Sequence, residues 1–321
     1  MVIADDRGFG NTKVCVDGRI ALLPSVVSRP QIVGMAAIGL KLDERPVMVR
    51  FAEQEFAVGA NAWRWGTPYA SLDYISLIAP ERLALWYAAL AQLLPPDTDH
   101  VAGLIVGLPV PLLQDGEQAG YVLEALKRRL KTHHRFQVGD AAYDLTVASL
   151  QVLAQPVGAY TDWVFDSDLQ PRRGAGQTEV AVLDIGMNTL DLFVIQGGRA
   201  MPRYLGGDKV GVRRLINLIA TDGHDSVELD EQLRRGRLRP SEDALDIWLS
   251  EILAVIERTW PNLRRFGAVL PTGGGVTLLD QRLRLALAAK GAVVHWPHDP
   301  LIANVRGLWK WGAHQSERKG S

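Results

Sequence analysis

A chain of 321 residues with 47% apolar and 22% charged residues is long enough for two soluble domains and lacks the bias of a fibrous or disordered protein. Its 35 basic and 36 acidic residues leave a formal net charge of −1, so no overall field draws it to nucleic acid or to an anionic membrane. A single cysteine, Cys15, excludes an intrachain disulfide, and the opening MVIADD lacks the basic and apolar regions of a signal peptide, so a cytoplasmic location is expected.

Residues 2–6, 12–16 and 19–27 read as three short strands joined by GFGN and DG turns, an antiparallel meander. Residues 28–76 lack a helical period and predict a small inserted unit. From Pro80, the residues Leu83, Trp86, Tyr87, Leu90 and Leu94 recur at helical spacing up to a stop at Pro95. The most apolar run, 101–113, is broken by Gly103, Gly107, Pro109 and Pro111, far short of the ~20 residues that a membrane helix needs, and predicts a buried strand and turn. Val122, Leu126 and Leu130 mark another helix face, AAYDLTVASLQVL a strand, and 154–165 a helix. The polar stretch 166–177 then reads as a linker between two lobes, residues 1–165 with 300–321 and residues 178–299.

In the second lobe, Val212, Leu215, Ile216 and Ile219 predict a helix, and 222–240 is charged and aperiodic. A long helix starts at Pro240 and Ser241 and buries Leu245, Trp248, Leu249, Ile252, Val255 and Ile256, so that 211–264 forms a second inserted unit. FGAVLPTGGG reads as strand and turn, Leu278, Leu283, Leu285 and Leu287 as a helix, and VVHW as a short strand. A terminal helix is expected over 300–313, before a frayed SERKGS tail.

AVLDIGMNTLDLFVIQGGRAMPRYL lays over VIADDRGFGNTKVCVDGRIALLPSV with one residue deleted in the turn, so both halves begin with the same meander. In DRGFGNTK, Gly8 and Gly10 let backbone amides approach an anion and make positive φ cheap, with Phe9 and Asn11 in the same loop. Lys13 can neutralise phosphates, and Asp6 at the strand end is placed to hold Mg²⁺ through its waters. DIGMNTLD repeats these ingredients with Asp184, Gly186, the tight-turn residues Met187 and Asn188, and the Thr189 hydroxyl, while Asp191 reads as serving another task. Either hairpin alone could be a solvated turn; two in one duplicated frame point to a shared Mg-nucleotide. In PTGGGV, Gly273, Gly274 and Gly275 can lie flat against a base or ribose at a helix amino terminus, and Gly207 joins the set of candidate nucleotide-binding glycines.

There is no G-x-x-x-x-G-K-[ST] motif, and the first loop continues into a strand rather than a helix, so neither a P-loop nor a Rossmann loop is present. His295 and His298, in a Pro-bounded HWPHDP stretch, read as structural rather than metal-binding, and Trp63, Trp65, Trp309 and Trp311 as packing residues, with exposed contacts for a partner as the alternative.

The two phosphate-type loops and TGGG, in this order, resemble the actin-like ATPases over nearly the whole chain. GFGNTK, GLPVPLL at 107–113, AQPVGAY at 154–160 and NVRGL at 304–308 are most similar to the ParM/StbA-type bacterial and archaeal actins. The resemblance implies an α/β fold of the duplicated, ribonuclease H-like kind, two lobes around a nucleotide cleft, each with a smaller inserted subdomain. It also implies ATP or ADP with Mg²⁺ as cofactors, with Asp6 and Asp184 holding the metal through water. The implied activity is ATP hydrolysis, with Asp6 and Asp184 counted among the catalytic residues and Gln155, at the start of the interlobe helix, as the water-positioning residue. Filament formation is implied as well, with a role in plasmid or DNA segregation through an adaptor protein, without direct nucleic-acid or membrane binding. Met187 in the second motif and Arg7 in the first depart from the family pattern. Two other readings of the same fold are a small-molecule kinase, for which Asp162 is the nearby candidate base, and a nucleotide-gated scaffold without turnover.

Overall fold

A computed structural model describes residues 1–31, 45–69, 71–220 and 225–320. Residues 32–44 and 70 of the expected 28–76 insertion, and 222–224 of the charged stretch, lie outside the described residues.

The first strand, Val2–Arg7, is buried along nearly its whole length because helices cover both faces of its sheet, which is why it reads as apolar on consecutive positions instead of alternating. It pairs antiparallel with Asn11–Val16, which pairs antiparallel with Arg19–Pro24. Its other edge pairs parallel with Gly103–Leu108, and that strand pairs parallel with Leu150–Ala154. The second half repeats the plan. Val180–Ile185 pairs antiparallel with Leu190–Gln196 and parallel with Ala268–Thr272. The outer edge of Leu190–Gln196 carries Arg199–Ala200 at one end and Gly206–Asp208 at the other. At the fifth position only a parallel bridge from Val269 to Val294 forms, so the expected VVHW strand shrinks to one residue pair.

The register corrects one sequence expectation. Asp6 lies opposite Lys13 and Asp184 opposite Asp191, so the two hairpins have the same length and no residue is deleted in the turn. The difference falls in the strand that follows, which has six residues in the first copy and seven in the second.

Residues from the expected 28–76 insertion enter a separate seven-stranded sheet, in which Val47–Phe51 pairs with His133–Val138 and Gln54–Val58 with Val27–Ser28. One apolar core, including Leu77, Trp86, Leu104 and Leu126, fills the first half. Another, including Leu183, Leu192, Trp248 and Phe266, fills the second. The helix Glu242–Thr259 starts as its sequence dictates, with the Ser241 hydroxyl accepting from the Ala244 amide at 3.2 Å. Among the described residues no helix is long and apolar enough to cross a membrane.

Two helices join the halves. Gln155–Val164 packs along Ala303–Gly320, which covers the first sheet. The last helix runs through most of the segment expected to fray, since Glu, Arg and Lys are good helix formers. The crossing is close because glycines face backbone: a Cβ on Gly158 would meet Asn304 O at 2.1 Å, and one on Gly307 would meet Gly158 O at 1.7 Å. Beside it, Asp162 binds Arg306 through Nε at 2.7 Å and Nη2 at 2.5 Å, and Lys310 at 2.9 Å. The AQPVGAY and NVRGL motifs are thus the two sides of one helix crossing.

The crossing makes opposite expectations for two helical glycines. Gly307→Ala should lower unfolding stability by about 2–4 kcal/mol despite alanine's better helix propensity, because backbone must move. Gly120→Ala, on an exposed helix position with nothing within 4 Å, should gain up to about 1 kcal/mol. Urea denaturation of both variants beside the unmodified chain checks the contrast; equal effects would discount the crossing.

Candidate functional site

The carboxyl ends of the two duplicated central strands open on one cleft of about 480 Å³. Asp6, Gly8, Phe9, Gly10, Asn11 and Lys13 line it from the first hairpin. Asp184, Gly186, Met187, Asn188 and Thr189 line it from the second, with Gln155, Gly273 and Gly274 between them. Gly207 and Gly275 sit behind the wall instead. Gly207 lies opposite Asp191 in the sheet, where a Cβ would meet Leu190 O at 2.3 Å, and a Cβ on Gly275 would strike Ile185 Cγ2 at 2.2 Å. Both let backbone or helix pack closely.

The first loop is held from outside the cleft. Gly8 O accepts from Arg82 Nη1 at 2.9 Å and from Ser25 Oγ at 2.8 Å, and Gly10 O accepts from the Ser25 amide at 2.9 Å. The Gly8 amide donates to Asp6 O at 2.9 Å, so the amides that this loop can offer an anion are those that follow it. Arg7 belongs to this support: buried under the loop, it pairs with Asp5 at 2.7 Å and donates to Leu77 O at 3.1 Å. Burial lowers the Arg82 guanidinium to about 10. Positive φ plays no part at Gly8, Gly10 or Gly186, contrary to the sequence expectation. Gly8 is required by proximity, since a Cβ would lie 2.5 Å from Asn11 O. Gly273, at φ +90°, does use the left-handed region, and the helix Gly274–Ala289 starts just after it with its amino terminus at the cleft. A Cβ on Gly274 would meet only Leu301 Cδ1, at 3.5 Å.

Three carboxylates line the cleft, though among the described residues no three acidic, His or Cys side chains cluster closely enough to ligate a metal directly. Asp6 accepts from Lys13 Nζ at 2.8 Å through one oxygen and from Gln155 Nε2 at 2.6 Å through the other. Asp184 accepts from Asn304 Nδ2 at 2.7 Å. Asp191 holds the position that Lys13 occupies in the first copy, and its only side-chain donor among the described residues is the Thr189 hydroxyl at 3.3 Å. Burial raises Asp184 to about 6, against the opposing pull of Lys13. Burial and then the charge of Asp184 hold Asp191 well above the usual carboxylate range.

Sequence reasoning had no role for Asn304, Asp230 and Arg234, all of which line the cleft. Asn304 stood inside the quoted NVRGL, whereas Asp230 and Arg234 lie in the aperiodic charged stretch and gave no signal. Asp162, the candidate kinase base, is outside the cleft lining and is neutralised by Arg306 and Lys310, so it is not a base for a second substrate there. His295 packs edge-on against Trp163 at 5.7 Å, and Trp309 and Trp311 pack around Cys15, Ile105 and Leu308.

The cleft electrostatics give a pH expectation for the protein free of metal and ligand. Because the folded pKa of Asp184, about 6, lies above its ordinary 3.8, folding favours its protonated form. That contribution is complete below pH ~4 and is lost as pH rises through about 6. Asp184→Asn should therefore match the unmodified chain below pH 4 and exceed it by about 3 kcal/mol above pH 7, read from urea midpoints across that range. A gap independent of pH would remove the buried charge as its cause.

Residues 4–158 match a family model described as the actin-like proteins' N-terminal domain. Across 100% of this chain and 99% of the other, the fold is similar to the crystal structure of an apo pSK41 ParM protein, with a TM-score of 0.73 and 16% identity. A 15-stranded ParM filament from Clostridium botulinum gives a TM-score of 0.74 at 19% identity, over 98% and 99% of the two chains. An archaeal actin homologue in complex with ADP gives 0.72 at 19% identity, also over 98% and 99%. No curated protein matches the sequence.

Proposed function

From a match to the actin-like family over residues 4–158 and a fold shared with ParM over the whole chain, we propose that this protein binds ATP with Mg²⁺ in the cleft, hydrolyses it, and assembles into filaments whose stability depends on the bound nucleotide. The observation that carries this reading is the pair of equivalent hairpins ending at one cleft, each presenting a buried carboxylate beside a tight loop. Asp6, Asp184 and Asp191 are buried there against one ammonium, Lys13, and Asn304 Oδ1 has no hydrogen-bond partner among the described residues. A hydrated Mg²⁺ fits that surplus of oxygen ligands and negative charge, with Asp6 and Asp184 as its holders through water. When bound, it supplies charge neutralisation along the phosphates. The amides of the two loops and of the Gly274 helix terminus receive phosphate oxygens, and Lys13 adds a cation. Gln155 donates one of its two amide N–H groups to Asp6, which fixes the side chain whose carbonyl oxygen would accept a hydrogen bond from a water. A neutral amide orients that water without taking its proton, and its contribution is positioning.

Support for assembly comes from the fold: relatives of the same architecture include a ParM filament and an Alp12 filament. Self-association is the partner reading that follows, in the cytoplasm, and an adaptor linking such filaments to DNA is its extension. The expected division into lobes at 166–177 makes the cleft the place where nucleotide state and lobe closure meet.

Two measurements test this. Gln155→Ala should keep its nucleotide affinity and slow single-turnover hydrolysis about 10- to 1000-fold, worth ~1.4–4 kcal/mol at the transition state. An unchanged rate excludes Gln155 from the chemistry. Light scattering and pelleting over protein concentration should show a critical concentration that is lower with ATP than with ADP, and Gln155→Ala filaments should persist longer. A chain that hydrolyses ATP yet stays monomeric at every soluble concentration would contradict the filament proposal.

A further inference from the structure

The charged stretch without periodicity folds into the helix Ser226–Arg234, which belongs to the second half of the chain and meets the first half across the cleft mouth. Arg234, in its last turn, donates through Nη2 to Gly10 O at 3.0 Å and through Nη1 to Asn11 Oδ1. Asp230, one turn earlier, holds the same guanidinium at Nε at 2.7 Å. Next to it, Arg235 donates to Asn61 Oδ1 at 3.0 Å, and the Trp63 indole N–H donates to Glu231. Arg235 also pairs with Glu231 at 2.7 Å, so the two outer contacts form one network.

From this geometry we infer that Arg234 is a positioning residue for the first phosphate-type loop and the centre of a latch that retains nucleotide. Its planar guanidinium spans two acceptors on the loop, which a point charge cannot do. By taking Asn11 Oδ1, Arg234 fixes the orientation of that amide and leaves Nδ2 as the donor for an anion in the cleft. By taking Gly10 O, it shares with the Ser25 amide the work of holding that carbonyl. The same bonds tie the two halves together, so the mouth cannot open without releasing the loop. Order in the loop and retention of the ligand thus depend on one side chain. Asn61 and Trp63 extend the latch onto the inserted unit of the first half. The inference rests on the proposal that the cleft takes a nucleotide, but the latch itself is a contact that exists without one.

The test uses the full chain and two readouts. Dissociation of a fluorescent N-methylanthraniloyl ADP is followed with Mg²⁺ present. Acrylamide quenching of Trp63, isolated by difference against Trp63→Phe, is followed without nucleotide. Arg234→Ala should speed dissociation about 10- to 100-fold, the range for losing a charged hydrogen-bond donor, and should raise Trp63 quenching. Arg234→Lys should fall between, keeping the charge but reaching one acceptor. Glu231→Gln should raise Trp63 quenching with a smaller effect on dissociation. If the unmodified chain retains nucleotide and Arg234→Ala releases it at the same rate, the inference is overturned. If the unmodified chain retains no nucleotide, the cleft reading fails, and quenching decides the latch: a rise in Arg234→Ala upholds the bridge between halves, and no change removes it.

Discussion

Asp6 and Asp184 are the same residue twice, placed by a repeated strand at the two sides of one cleft and buried at 1% and 5% exposure. Neither can move away from the other without breaking its sheet register, and Asp191 adds a third carboxylate on the same side as Asp184. Most of what surrounds the cleft answers this concentration of negative charge. Lys13 and Gln155 engage both oxygens of Asp6, and Asn304 is carried in from the last helix to Asp184. Burial still lifts Asp184 and Asp191 above their ordinary range. A bound cation would offset this burial of negative charge, and shifted carboxylates are common where a site is prepared for binding.

The two hairpins match in register and differ in chemistry. Equivalent register positions hold Lys13 in one hairpin and Asp191 in the other. The supports differ as well: the first loop is braced by a buried set of Asp5, Arg7 and Arg82, whereas the second is packed against the glycines Gly211, Gly273 and Gly275. A pair of identical hairpins would bring either two ammoniums or none. The divergence makes one side a phosphate neutraliser and leaves the other an acidic wall.

Much of this was legible in the residues. The meanders, the buried face of Glu242–Thr259 and the cleft-lining loops follow from strand and helix periodicity and from glycines at strand ends. Arg7 looked anomalous because one of its two partners, Leu77 O, is distant in sequence. Gly207 and Gly275 were indistinguishable from ligand-facing glycines, since a glycine packed against backbone and one facing a ligand have the same local signature. The reach of Arg234 to Gly10, over more than two hundred residues, had no local pattern to announce it.

The position of Asn304 has a consequence for how the molecule is made. The helix that carries it rests on the strands formed by Val2–Arg7 and Gly103–Leu108, yet its side chain completes the second carboxylate site. The first sheet therefore waits, during synthesis, for a cover that emerges only after the whole second half has left the ribosome. Contacts of such long sequence separation form late and slowly. Until they do, the nascent first half exposes Ala4, Cys15 and Ile105, the apolar surface that this helix will bury, and is a natural client for chaperones.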